Sequence, residues 1–258
     1  MLGAIVGDYL GSVHEHHPIK RKDFVLLDAR CFVTDDSLLT LAVAEWLMDG
    51  SDLVGRFHEL VSAFPDAGWG GMFRGWARAR SREPYNSFGN GAAMRVSPVG
   101  WAFTSLEETL DAAAASSRVT HDHPEGIKGA QATAAAVFLA RTTRDKDAIR
   151  DEITGRFGYD LSRSLEEIRP GYRFDETCQR TVPQAIMAFL EADDFEDAIR
   201  NAISLGGDAD TLACTAGGIA HAYFGGVPVE LAAPALRAVP ATLAPTWTRF
   251  RDRYRVPV

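Results

Sequence analysis

Two stretches far apart in the chain carry the residues best able to do chemistry. Asp208, Asp210 and Thr211 follow the Gly206-Gly207 pair, and Thr34-Asp35-Asp36 stands near the other end. Asp208 and Asp210 are separated by one residue, so a single turn can aim both carboxylates at one point. Thr34 and Thr211 add hydroxyls, giving six oxygen donors with no His or Cys among them. That inventory fits Mg²⁺ or Mn²⁺ rather than Zn²⁺. Four carboxylates gathered in one place repel strongly without cations, which favours two metals over one. Either stretch alone reads equally well as a helix N-cap, where Asp and Thr are preferred and negative charge suits the dipole. The glycine pair ahead of Asp208 favours the site, because a simple cap needs no turn of unusual torsions.

Other segments offer supporting groups. Glu15 lies in a polar stretch, Ser12 to Lys22, with His14, His16, His17 and Pro18. Those three histidines invite a zinc reading, but Pro18 and the lack of a nearby Cys weaken it. Ala67 to Gly71 is a glycine-rich loop without the lysine of a Walker loop or the leading strand of a dinucleotide fold. Tyr85 to Arg95 is rich in Gly and Asn, a composition that places polar groups at a site more often than in a core.

The elements that must position these groups read as helices. Apolar periodicity predicts helices over Asp36–Met48, Leu53–Phe64, Met72–Arg80, Leu106–Arg118 and Glu125–Thr142. Lys146–Phe157, Val182–Leu190, Asp194–Leu205 and Thr211–Phe224 follow, and Asp160–Arg173 is partly helical. Pro228 to Val258 is Pro-rich and ends in a short polar helix, Thr246–Tyr254. Gly3, Gly7 and Gly11 recur every four residues on the first helix, so they share a face fit for close approach of another backbone. Gly217 and Gly218 suggest the same inside a later helix. No period-2 run is long enough for a sheet, and no repeat or linker interrupts the chain. Residues 1–258 therefore read as one all-α domain.

Composition bounds the function. The chain has 258 residues, of which 46% are hydrophobic, enough for a well-buried core. A net charge of −8 argues against a general nucleic-acid or anionic-membrane surface. Cys31, Cys178 and Cys214 are odd in number, lack metal-ligand spacing and read as buried free thiols of a reducing compartment. No apolar run is long enough to span a bilayer, and no signal-peptide pattern opens the chain, so a cytoplasmic protein is expected.

Taken together, these motifs resemble the ADP-ribosylglycohydrolase family, which includes the dinitrogenase-reductase-activating glycohydrolases and the serine- and arginine-specific ADP-ribosyl hydrolases. The resemblance rests on Gly3 to Gly11 with Glu15, Thr34 to Ser37, Ser87 to Arg95, Thr120-His121 and Gly206 to Thr211, in the family's order. It implies a single all-α domain of orthogonally packed helices around a central cleft with two Mg²⁺ or Mn²⁺ ions. It implies Thr34, Asp35, Asp36, Asp208, Asp210 and Thr211 as metal ligands, with Asp36 and Glu15 in catalysis. Gly68, Gly70 and Gly71 resemble the diphosphate-binding loop. Ser87, Phe88, Gly89 and Asn90 resemble the segment around ribose and adenine, and His121 matches a residue near the ADP-ribose. Two departures stand out. The interval between Glu15 and Thr34 is short, 18 residues, and Ser37 stands where Thr is commoner.

The expected reaction is hydrolysis at C1″ of an ADP-ribose conjugate, through an oxocarbenium-like state. The ions would bind the distal ribose and activate water or the leaving atom, with Glu15 as general acid or base. The expected partner is an ADP-ribosylated protein or small-molecule conjugate, and the expected state a monomer. A non-catalytic ADP-ribose binder and a dinuclear phosphoesterase are the alternatives. Of the remaining residues, Asp8 reads as a structural hydrogen-bonding group and Arg95 as a buried ion-pair partner. Phe88 reads equally as core or as a stacking platform. Asp122 and His123 have no evident role.

Overall fold

A computed structural model describes all residues, Met1–Val258, as helices joined by loops and turns. The predicted all-α class is what forms. The extended pairing is a single isolated antiparallel bridge between Gly89 and Thr177. A continuous hydrophobic core of 76 buried residues runs through the helices.

The most extensive packing is between the first helix, Leu2–Gly11, and the helix Ala209–Phe224. The glycine stripe explains it. A Cβ at Gly7 would stand 2.0 Å from the Ala213 carbonyl oxygen, and one at Gly3 would stand 2.1 Å from that of Gly217. The approach is reciprocal, since a Cβ at Gly217 would meet the Gly3 carbonyl oxygen at 2.3 Å. Backbone cannot yield as a side-chain tip can, so only glycine allows these helices to touch this closely. This pair places Gly11, and Glu15 beyond it, against the start of the helix that carries Asp210.

Local sequence rules set most helix ends. Thr34 accepts from the Asp36 N–H and caps Asp35–Asp49, which stops at Gly50 in the left-handed region. Ser105, Asp145, Ser164 and Asp194 cap their helices through side chains. Prolines mislead in two places. The helix Cys178–Leu190 contains Pro183, so it starts earlier than the predicted Val182. A helix spans Val229–Ala238 with Pro234 inside, in the Pro-rich segment for which only the final helix was expected. Burial of Leu231, Ala232 and Ala235 offsets the hydrogen bond that Pro234 lacks. Asp160–Arg173 reduces to one turn, Leu165–Ile168, and the last helix begins at Ala244. Cys178 and Cys214 are buried as expected, while Cys31 is only partly covered, and all are free.

Candidate active site

A cleft opens where the helix Asp35–Asp49 and the helix Ala209–Phe224 both begin. Glu15, Asp35, Asp36, Asp208, Asp210 and Thr211 line it. Thr211 Oγ1 lies 3.4 Å from Asp36 Oδ1, joining the two distant halves of the predicted ligand set. One carboxylate oxygen each from Glu15, Asp208 and Asp210 fall within 4.8 Å of one another. Thr34 sits just behind this wall and is buried. Its hydroxyl donates to Asp8 Oδ1 at 2.7 Å and accepts from the Asp36 N–H.

Asp8 does the structural work read for it. It accepts from the Thr34 N–H at 3.0 Å, the Ser37 N–H at 3.1 Å and the Ser37 hydroxyl. Ser37 thus fastens the helix Asp35–Asp49 to the first helix. Asn90 braces Asp208, donating to Oδ2 at 2.7 Å and to Thr181 Oγ1 at 3.1 Å.

No lysine or arginine forms an ion pair with Asp8, Asp35, Asp36, Asp208 or Asp210. Burial, reinforced by the Asp210 charge, holds Asp35 and Asp36 well above the usual carboxylate range. Burial and neighbouring Asp208 do the same to Asp210. Burial lifts Asp208 to about 6 and Glu15 to about 7, the latter with help from Asp210. Asp36 Oδ2 is buried with no hydrogen-bond partner. Carboxylates this crowded and this poorly matched by protein donors are what a cation-binding site offers, and the oxygen-only donor set fits a hard divalent ion.

The Glu15 loop is clamped rather than loose. Glu15 follows a short 3₁₀ turn, Ser12–His14, and His16 stands 3.5 Å from its carboxylate. Further on, Lys20 Nζ donates to the Tyr172 carbonyl at 2.7 Å and to that of Leu205. Gly206, at φ +62°, passes directly under the Lys20 stem, where a Cβ would meet Lys20 Cε at 2.9 Å. The unusual turn inferred before Asp208 therefore exists, and it lets the loop reach across. His14 packs edge-on against Phe24, and His16 is largely exposed.

The glycine-rich loop forms the next wall. The Asp35 N–H donates to the Ala67 carbonyl at 2.7 Å, tying the loop to the acidic helix. Gly68 adopts φ +93° beside Asp35. Trp69 anchors the loop by stacking on Phe73 and donating to the Phe64 carbonyl at 2.7 Å. Gly70 and Gly71 line the cleft, and a Cβ on either would meet nothing within 4 Å. Their small size is not demanded by the protein's own packing.

Tyr85, Ser87, Gly89, Asn90 and His121 also line the cleft, with Asn90 joined to the acids through Asp208. The Asp122 carboxylate accepts from the Asn86 N–H at 2.7 Å and so fixes this loop. His123 caps the helix Pro124–Thr143 and meets the Phe88 ring edge-on at 5.2 Å. Both residues without an evident role thus shape the 84–90 segment. Phe88 is 44% exposed, which takes it out of the core, but it stands beside the cleft lining rather than in it. Glu176, absent from the sequence expectations, also lines the cleft. The Asn90 N–H donates to the Glu176 carbonyl at 2.7 Å, and the Cys178 N–H to that of Phe88 at 3.0 Å. No local pattern marks Glu176; this cross-chain pairing alone delivers it.

Arg95 corrects its reading as an ion-pair partner. It is fully buried, forms no ion pair, and its Nε and Nη1 have no hydrogen-bond partner. Nη2 donates to the Ser116 carbonyl and to Thr120 Oγ1, and the guanidinium lies over the Phe57 ring, 4.9 Å from its centroid. Cation–π contact and neutral acceptors replace the expected charge partner.

Comparisons with known proteins show the family. The family model for ADP-ribosylglycohydrolase matches residues 1–247, and the chain belongs to that family. It is accordingly an enzyme of the glycohydrolase class. It is similar to the ADP-ribosylhydrolase ARH3 of Mus musculus, 26% identical, over 87% of this chain and 82% of the relative. It is similar to an ADP-ribosylarginine hydrolase of Pseudomonas putida, 28% identical, over 89% of this chain and 71% of the relative. A solved structure described as an ADP-ribosylglycohydrolase-related protein complex superposes with TM-score 0.71 at 26% identity, covering 96% of each chain.

Proposed function

We propose that this enzyme hydrolyses the glycosidic bond at C1″ of ADP-ribose conjugates and depends on divalent cations to do so. The observation that carries the reading is the unneutralised carboxylate wall facing a polar cleft, with a glycine loop on one side. Asp35, Asp36, Asp208, Asp210 and Thr211 would hold two Mg²⁺ or Mn²⁺ ions, with Thr34 at the edge of the set. Bound there, the ions would supply positive charge to orient ribose hydroxyls and to polarise an oxygen at the reacting centre.

The chain's own groups do the rest. Glu15 reaches the wall from its loop, one carboxylate oxygen within 4.8 Å of oxygens of Asp208 and Asp210, and is placed to give or take a proton as general acid or base. The open space around Gly70 and Gly71 lets a diphosphate approach backbone N–H groups closely. Ser87, Gly89, Asn90 and His121 line the side where the sugar and base would lie, with exposed Phe88 at its margin. We take residues 1–258 as one catalytic domain acting on an ADP-ribosylated protein or small-molecule conjugate.

The test is product analysis. Protein with Mg²⁺ is incubated with peptides ADP-ribosylated on arginine or on serine, and with O-acetyl-ADP-ribose. Release of intact ADP-ribose, abolished by EDTA, is expected from at least one. Release of AMP, or binding with no product, would replace this reading with a phosphoesterase or a binder.

A further inference from the structure

Behind the part of the cleft lined by His121 lies a three-residue chain of hydrogen bonds. Arg95 Nη2 is 2.8 Å from Thr120 Oγ1, and Thr120 Oγ1 is 2.8 Å from His121 Nδ1. Thr120 and Arg95 are fully buried, and His121 nearly so. On the far edge of the ring, Nε2 faces the cleft wall. A Cβ built on Gly91 would come within 3.1 Å of it, and one on Gly89 within 3.5 Å. We propose that Arg95 and Thr120 are positioning residues that lock His121 with its proton on Nε2, presenting a fixed N–H donor to an oxygen of ADP-ribose bound in the cleft. The donor role rests on the functional reading above; the lock does not.

The direction of each bond follows from what the groups can do. A guanidinium only donates, so Thr120 Oγ1 accepts from Arg95. The hydroxyl then has one proton to place, and the ring nitrogen is its other hydrogen-bonding neighbour. If Nδ1 carried a proton, the Thr120 hydroxyl would accept twice and its own proton would be stranded in a dry interior. Nδ1 is therefore bare and Nε2 protonated. Charging the ring would strand the same proton and add a cation beside buried Arg95. Burial, and then the Arg95 charge, hold the imidazole well below its ordinary pKa. Tyr85, the aromatic neighbour 5.8 Å away, has its own ionisation pushed up to about 12 and adds no negative charge.

This arrangement gives Arg95 a reason to be buried without a carboxylate. A carboxylate there could compete for the Thr120 hydroxyl and release the ring to flip its proton. The glycines at positions 89 and 91 keep the space in front of Nε2 clear.

Nitrogen NMR of the histidine rings in the metal-free protein at neutral pH tests the lock without any ligand. His121→Asn identifies the His121 signals by their loss. The expected pattern is one tautomer, Nε2 protonated and Nδ1 bare. Thr120→Val should convert it to a mixture, and Thr120→Ser should restore it. Calorimetry should show ADP-ribose affinity roughly 10-fold weaker in Thr120→Val and recovered in Thr120→Ser. A proton on Nδ1 in the wild type, or a tautomer and affinity untouched by Thr120→Val, overturns the proposal. Wild-type protein that shows the lock but does not bind ADP-ribose overturns the functional reading and the donor role with it.

Discussion

The two walls of the cleft are built on opposite principles. The acidic wall gathers buried carboxylates without a cationic partner and leaves Asp36 Oδ2 unbonded. The wall that carries His121 is threaded by paired donors and acceptors, from Ser116 and Arg95 through Thr120 to His121. The first gathers acids that burial and one another's charge hold well above the usual carboxylate range, and it offers only oxygen donors. The second links Arg95 Nη2, Thr120 and His121 by hydrogen bonds, although Arg95 Nε and Nη1 are buried without partners. Electrostatic incompleteness fits a site that binds cations. A chain of hydrogen bonds ending on a ring nitrogen fits a side chain that must present a donor in a fixed direction.

The sharpest way to break this contrast is to remove acids. Asp36→Asn or Asp208→Asn should lower ADP-ribose release by roughly 1,000-fold if cations carry that wall. Chelation of the wild type should match this loss, with recovery on adding Mg²⁺ or Mn²⁺. Full turnover in EDTA would leave both aspartates with a structural role only.

Glu15→Gln should cut turnover by roughly 100-fold while ADP-ribose affinity stays near wild type. Single-turnover rates beside calorimetry separate the two effects. A loss of affinity equal to the loss of rate would assign Glu15 to binding.

Glycines distinguish packing from recognition. Gly7→Ala forces a Cβ to within 2.0 Å of the Ala213 carbonyl oxygen and should lower stability by about 1–3 kcal/mol in chemical denaturation. Gly70→Ala meets open space at an ordinary φ of −53° and should leave stability unchanged. If the loop cradles a diphosphate, that same change should weaken ADP-ribose roughly 10-fold, because one methyl group keeps the phosphates from the backbone.

The acidic wall should also show itself in the pH dependence of melting without metal. Asp8 and Asp208 move from 3.8 to about 6 and Glu15 from 4.5 to about 7 on folding. Raised folded values mean that the native state holds protons the unfolded chain has released. Their stabilisation is therefore complete below about pH 4 and is lost as pH rises through about 7. The EDTA-treated protein should melt several degrees lower at pH 8 than at pH 5. Saturating Mg²⁺ should help more at pH 8 than at pH 5, since only ionised carboxylates bind it. Equal melting temperatures across this range would show the acids to be neutralised by other means. The smallest effect expected is from Phe88→Ala, about 1 kcal/mol in ADP-ribose affinity if the exposed ring covers part of the ligand.

Much of this was legible in the chain. The helix starts at Thr34 and Asp208, the close approach made by Gly3, Gly7 and Gly217, and the structural place of Asp8 all follow from local chemistry and spacing. Short-range rules reach that far because caps, turns and helix faces are decided by residues a few positions apart. Glu176, the missing partner of Arg95 and the tasks of Asp122 and His123 were not legible. Each depends on which segments meet across the fold: residues 176–178 against 88–90, Asp122 against Asn86, Thr120 between Arg95 and His121. The sequence by itself determined which ligand atoms the protein owns and which helix ends carry them. Tertiary packing decided that one wall would be left short of positive charge and the other supplied with it. Charge balance is a property of neighbours in space, and no period along the chain encodes it.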